Sequence, residues 1–358
     1  MNPEVATSLQ LQVEIMECQL HFAEVEATWH QETLQDFVDT SMRISVMEKG
    51  RNQTLITEFI IVGFGEEPEL QTLLFLVFLM IYIVTLAGNL LIIALVTADR
   101  QLHTPMYFLL GNLACLETCF STAILPRLLS SLLTGDRAVS LNGCMVQLYF
   151  FGVLSTIENM ILAAMSYDRY LAICHPLHYA ALMNGKVCGQ LVAASWISGF
   201  LFCSIVNAFI WQLTFCDSKE IDHYFCEFVP LLKLACTDTQ TVQLVAFVVA
   251  AIVTLVPCLL TLASYVCIIT TVLKIPSISG RKKAFSKCSS HLTVVTVYYV
   301  IVFAVYVVPI VNTSKKSEKI FSVFCTVLNP LINPVIYCLR NKEVKECLRK
   351  AVRKISAF

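Results

Sequence analysis

Long apolar runs separated by short polar breaks set the pattern of this chain. A helix that crosses a bilayer needs about 20 mostly apolar residues. Seven stretches reach that length: 72–97, 106–130, 142–172, 187–210, 241–273, 285–310 and 318–339. The first, Thr72 to Thr97, carries no charge. Connections are short except for 211–240, and no soluble domain interrupts the spans. The pattern predicts an all-α membrane protein, a seven-transmembrane helix bundle over 72–339. An outer segment, 47–71, precedes it and a tail, 340–358, follows. Composition agrees: 57% of residues are apolar and 14% charged, against about 45–50% and about 25% in soluble domains.

Lys and Arg set the orientation, because cytoplasmic loops collect them. Lys274, Arg281, Lys282, Lys283 and Lys287 lie around the fifth connection, and Arg340, Lys342, Lys345, Arg349, Lys350, Arg353 and Lys354 follow the last span. Both groups fall on one side of a seven-span chain, so the N-terminus is expected to be extracellular and the C-terminus cytoplasmic. Residues 1–46 hold eight acids and one base, a net −7, which leaves +6 for residues 47–358 of a chain whose total is −1. They lack a signal peptide's basic start, apolar core and cleavage site. Leu9, Val13, Met16 and Leu20 fall at helical spacing, which allows a weak amphipathic helix. The extension reads as an upstream start outside the fold, with an acidic ectodomain as the alternative. Asn52-Gln53-Thr54 matches the N-glycosylation pattern. Asn312-Thr313-Ser314 matches it too, in a loop too short to be used.

Several polar residues fall inside the apolar runs. Cys144 to Arg169 spans about 37 Å of helix at 1.5 Å per residue, which puts Cys144 at the outer edge and Arg169 at the inner. Glu158 then lies near mid-membrane, and Glu117 on the neighbouring helix reaches similar depth. Charge at that depth is costly and marks a functional candidate. The two carboxyls either share a proton or bracket a cation such as Na⁺. The plainer alternative is a neutralised pair hydrogen-bonded to Asn89 and Asn333. No other cofactor is expected. Asp168-Arg169-Tyr170 sits where helix 3 leaves the membrane, where an Asp can hold a buried Arg in one state and release it in another.

Cys216, Cys226 and Cys236 share the long outer loop, with Cys144 on the same face. An oxidising exterior favours disulfides there, and four thiols permit three pairings. Zinc ligation is the rival, but the spacing matches no compact zinc knuckle. The remaining cysteines lie mostly in apolar runs, where a thiol is a small hydrophobe. His291 reads as a satisfied structural histidine. Neither a phosphate loop nor an HExxH helix occurs, so the chain is not expected to be an enzyme. Nucleic acid is not an expected partner.

Residues 102–109 read LHTPMYFL, 165–175 MSYDRYLAICH, 283–291 KAFSKCSSH and 330–341 PLINPVIYCLRN. With Gly88-Asn89, Pro257 and Ser264-Tyr265, they resemble the olfactory receptors of the rhodopsin-like G-protein-coupled class over residues 52–350. Residues 47–358 have a usual length for that family, which supports Met47 as the functional start. The resemblance implies disulfides Cys144–Cys226 and Cys216–Cys236. It also implies a G-protein switch of Asp168, Arg169, Tyr170, Tyr265, Lys283, Lys287, His291, Asn333, Pro334 and Tyr337. Tyr265 and Tyr337 would approach Arg169 as the inner end of helix 6 swings out. The implied partner is a stimulatory olfactory-type heterotrimeric G protein acting through cyclic AMP, at the plasma membrane of olfactory cilia. Arg340 to Lys350 would lie as a basic amphipathic helix against inner-leaflet lipid.

Three positions depart from the family's usual pattern. Glu117 stands where Asp is more frequent, and Lys287 replaces the usual Thr. Val300 replaces Gly, which would narrow the space beneath the pocket. The outer half of helix 3, Met145 to Ile157, has no charged residue, which disfavours cationic amines. Apolar walls with few polar groups suit a small, mostly neutral volatile odorant. By position its walls are Phe151, Ser155, Thr156 and Asn159, with Val249, Val253, Val302, Phe303 and Tyr306 opposite. A same-fold receptor for a metabolite outside the nose shares this physics. A seven-helix transporter would need broken helices or a polar path at mid-membrane.

Overall fold

The structure is a computed structural model. It describes residues 56–65, 67–216, 219–311, 315–340 and 342–355, with backbone only for 305–311, 315–318, 339–340, 342, 351–352 and 354–355. Residues 1–46, the acceptor at Asn52, the pattern at 312–314 and the side chain of Tyr306 therefore lie outside the described residues.

Among the described residues, seven helices are long and apolar enough to cross a membrane. They are α1 (Pro68–Ala98), α2 (Pro105–Thr134), α3 (Leu141–Cys174), α4 (Gly185–Ile210), α5 (Gln240–Lys274), α6 (Ile278–Val311) and α7. Helix α7 is built in three pieces: Lys315–Val323, a π-helical turn Phe324–Leu328, and Asn329–Arg340. The tail forms α8, Lys342–Ile355.

Local chemistry sets the helix ends. Proline opens α1 and α2, where its missing N–H costs nothing. The Ser140 hydroxyl accepts from Gly143 N at 3.1 Å to cap α3, and Asn184 accepts from Val187 N at 3.0 Å to cap α4. Gly135, at φ +74°, ends α2 in the left-handed conformation that a side chain would disfavour.

Hydropathy located the spans but not the helix limits. Helix α6 begins at Ile278 rather than at 285, so Arg281, Lys282 and Lys283 are helical and not linker. Lys and Arg are good helix formers, and the helix runs on past its apolar stretch. Helix α7 is interrupted by its π turn, which an apolar count cannot detect. The tail helix starts at Lys342 and runs past Lys350 to Ile355.

Burial is arranged as a bilayer requires. Leu73, Met80, Leu244 and Phe247 are exposed on the outer surface of the bundle, whereas Asn89, Glu117, Glu158, Asp168, Asn329 and Asn333 are buried inside it. Three segments distant in sequence form a small sheet at one end, in the order β2–β1–β3. Strand β1 (Glu58–Ile61) pairs antiparallel with β2 (Ala138–Ser140) and parallel with β3 (Glu220–Ile221). Phe59, Ile61 and Ile221 turn inward from it onto Cys144, Met145 and Leu148 of α3.

Candidate functional site

Beneath the sheet, the loop between α4 and α5 folds into the bundle. Cys226 is bonded to Cys144 and Cys216 to Cys236. The Cys226 N–H donates to Gln147 Oε1 at 3.0 Å, fixing the loop to α3 a second time. Next to it, Tyr224 is buried, and its hydroxyl meets Thr326 Oγ1 at 2.7 Å and Ser322 Oγ at 3.1 Å. Its ring stacks on Phe64 at 5.0 Å, and Phe225 packs on Phe151 at 5.1 Å. Burial holds the Tyr224 phenol well above its ordinary pKa. Lys319 Nζ bridges the Asp222 carboxylate at 2.6 Å and the Gly63 carbonyl at 2.8 Å, tying α7 to both the loop and the N-terminal segment. A cavity of about 20 Å³ lies at this end among Phe64, Gln71, Arg137 and Tyr224; among the described residues, none of the expected pocket positions lines it.

The expected pocket residues divide. Phe151, Ser155 and Asn159 lie on α3, where Phe151 packs between Phe120 and Phe225 and the Asn159 amide donates to the Ser155 carbonyl at 3.1 Å. Val253 is buried, and Val249 and Val302 are half-buried. Two positions have other surroundings. The Thr156 hydroxyl points at Cys203 Sγ of α4, 3.8 Å away, because it sits on the face of α3 that packs that helix. Phe303 is 66% exposed on the lipid side of α6. Val300 is 62% exposed on that surface as well, so it does not narrow the bundle interior.

At mid-bundle the two carboxyls face each other across α2 and α3. Asn333 donates its side-chain N–H to Glu117, and Asn329 donates to Glu158 at 2.5 Å. Asn89 does not take the expected role: its amide donates to the carbonyls of Thr85 and Pro330, at 3.0 and 3.2 Å, and so braces α1 against α7. Asn329 was missed, and the sequence did carry a signal for it. Ser322, Thr326, Asn329, Asn333 and Tyr337 recur at intervals of three or four, a polar stripe along one helix face. Every member is buried.

At the other end of α3, Asp168 is fully buried and paired with the Arg169 guanidinium, whose Nε donates at 2.9 Å. Its second oxygen accepts from the Tyr179 hydroxyl at 2.7 Å. Tyr179 opens a one-turn helix, Tyr179–Leu182, and no sequence periodicity marked it. Burial and the neighbouring Asp168 charge raise its phenol pKa, so it remains a donor. Tyr170 reaches His175 Nε2 at 2.9 Å. Tyr265 and His291 Nδ1 lie 2.6 Å apart, joining α5 to α6. Tyr337 is buried, and its hydroxyl has no hydrogen-bond partner among the described residues. Lys283 and Lys287 are exposed beside them on α6, and Pro334 lies within α7 against Gly88 of α1. Cys174, Ile173 and Tyr170 pack on Tyr265, Ile268 and Cys288, so α3, α5 and α6 share one apolar cluster beneath the arginine.

Seven apolar helices, a disulfide-anchored loop at one end and an Asp-Arg pair at the other define a rhodopsin-like multi-pass membrane receptor. The crystal structure of squid rhodopsin shares the fold, with a TM-score of 0.64 at 15% identity over 81% of this chain and 87% of that one. The family model for olfactory receptors matches residues 78–354. Olfactory receptor 6F1 of Homo sapiens is 48% identical over 299 residues, covering 84% of this chain and 97% of that protein. Olfactory receptor 1G1 of Gorilla gorilla gorilla is 46% identical over 304 residues, covering 85% and 97%. The chain belongs to the olfactory receptor family, and it is a G-protein-coupled odorant receptor rather than an enzyme.

Proposed function

We propose that this receptor takes a small, mostly neutral volatile in the outer half of its bundle. The response is activation of a stimulatory olfactory-type G protein and a rise in cyclic AMP. The observation that carries the ligand class is the α3 stretch from Met145 to Ile157, which has no charged residue and meets Phe225 under the loop. A cationic ligand brought there would lose hydration without gaining a counter-ion. Phe151, Ser155, Asn159, Val249, Val253, Val302 and Tyr306 are the residues we assign to the walls. The N-terminus faces outward in this reading, and the receptor resides in the plasma membrane of sensory cilia. Helix α8 lies on inner-leaflet lipid, to which Lys345, Arg349 and Arg353 are the cationic contribution.

A cyclic AMP reporter screen against panels of volatiles and non-volatile metabolites tests this. Responses confined to neutral volatiles agree with the proposal. Responses confined to amines would overturn the ligand class, and ligand responses without cyclic AMP would overturn the coupling. Ser155→Ala and Tyr306→Phe should each reduce potency if hydroxyl groups anchor the ligand.

We further infer that Glu117 and Glu158 confer sodium or proton sensitivity. Oxygen donors of this kind suit a hard cation. Besides the carboxyls, the side-chain oxygens of Asn89, Asn329 and Asn333 are buried without hydrogen-bond partners among the described residues. Glu117, Glu158 and those carbonyl oxygens are the groups that would hold Na⁺. Glu117→Gln or Glu158→Gln should then flatten the sodium or pH dependence of signalling, read as ligand-free activity across both titrations. Unaltered dependence in both variants would sink the idea.

A further inference from the structure

The tail helix is fastened to the base of the bundle by a stripe of polar contacts. Glu343, Cys347 and Lys350 are spaced i, i+4 and i+7, which places them on one face of α8. Tyr107, in the first turn of α2, donates its hydroxyl to Glu343. Cys347 meets Asp99, at the end of α1, and Lys350 Nζ donates to Gln101 Oε1 at 2.6 Å. Burial pushes the Cys347 thiol up to about 11, with the Asp99 carboxylate adding to the shift.

The Tyr107 contact reaches furthest in. Its side chain is only 4% exposed, and its phenol lies within electrostatic reach of both Arg169 and Tyr337. One residue, 341, separates α7 from α8, and Tyr337 lies close before that junction. A shift of Tyr337 toward Arg169 would carry Glu343 with it. The bond from Glu343 to α2 opposes that shift.

We propose that the Tyr107–Glu343 hydrogen bond is a latch that anchors the α7–α8 junction to α2 and holds the receptor in its resting state. Both residues are positioning residues, and the inference rests on reading Asp168–Arg169 as the signalling switch. In the resting geometry the latch is closed while Arg169 is engaged by Asp168. Activation requires both bonds to yield.

The test is ligand-free activation of a panel of Gα classes by full-length receptor, normalised to the amount at the cell surface. Tyr107→Phe and Glu343→Ala should each raise it about three- to tenfold, the factor a net hydrogen bond is worth in a two-state equilibrium. The double variant should rise no further than the larger single, because the two residues share one interaction. Glu343→Gln keeps a carbonyl acceptor and should rise less than Glu343→Ala. Unchanged ligand-free activity in both singles, or fully additive effects, would overturn the latch. Should Tyr107→Phe fail to reach the surface, the contrast between Glu343→Ala and Glu343→Gln decides. Asp168→Asn, measured in parallel, separates the two readings. A rise there without one in the latch variants overturns the latch alone, and no rise in Asp168→Asn overturns the switch beneath it.

Discussion

Asp168 shows how much a buried carboxylate demands of its surroundings. Arg169 supplies the charge, and Tyr179 satisfies the second oxygen from a loop eleven residues further on. A hydrogen bond to a charged group is worth about 1.5–3 kcal/mol net. Tyr179→Phe removes that contact while keeping the ring, so Asp168 should hold Arg169 less firmly. Ligand-free G-protein activation should then rise several-fold at equal surface level, read with an energy-transfer sensor of G-protein dissociation. The triplet 168–170 was legible as a unit because its three members are adjacent. Tyr179 was not, because a one-turn helix has no period to betray it and its role depends on how the loop turns back.

Between elements, close approach is set by small residues and by covalent ties. A Cβ on Gly199 of α4 would stand 2.6 Å from Ile157 Cγ1 and 3.0 Å from the Val153 carbonyl of α3. Backbone cannot yield as a flexible side chain can. Gly199→Ala should therefore cost about 1–3 kcal/mol by overpacking, measured as a lower melting temperature of purified receptor. Gly185→Ala, which meets nothing within 4 Å, is the control and should melt unchanged. The disulfides differ in the loops they close, with separations of 82 residues for Cys144–Cys226 and 20 for Cys216–Cys236. Chain-entropy arithmetic gives about 4.5 against about 3.3 kcal/mol. Cys226→Ser should accordingly reduce surface receptor more than Cys236→Ser, as counted by flow cytometry on unpermeabilised cells. The polar stripe of α7 was open to reading at this scale. It was passed over because its members lie inside a run whose mean hydropathy is apolar.

Across the whole molecule, the acidic extension and the folded bundle are separate in charge and in composition. The described fold begins at Ile56, and the family match begins at residue 78. A chain beginning at Met47 should reach the surface and respond to odorant as the full chain does. A loss of either property would assign residues 1–46 a role. The net −1 of the full chain conceals +6 in residues 47–358, and the bases of α8 and the start of α6 gather at the end where Arg169 sits. That asymmetry is the ground on which this end is expected to be cytoplasmic.

The amino-acid pattern alone determined that there are seven spans, that Asp168-Arg169 lies near the end of the third, and that two carboxyls share one depth. Those properties follow from length and linear spacing, which a helix converts to distance at a constant rise. Tertiary structure decided which side of each helix faces its neighbours. It sent Thr156 to α4 and turned Val300 and Phe303 toward lipid, because an interior-facing residue and a lipid-facing one can be equally apolar when hydrocarbon lies on the outside. It also assembled the pairs no spacing could announce: Tyr224 with Thr326, Lys319 with Asp222, Asn329 with Glu158, and Tyr107 with Glu343. Each joins residues about a hundred or more positions apart (97 for Lys319 with Asp222), and only the packing of helices brings such partners within a hydrogen bond.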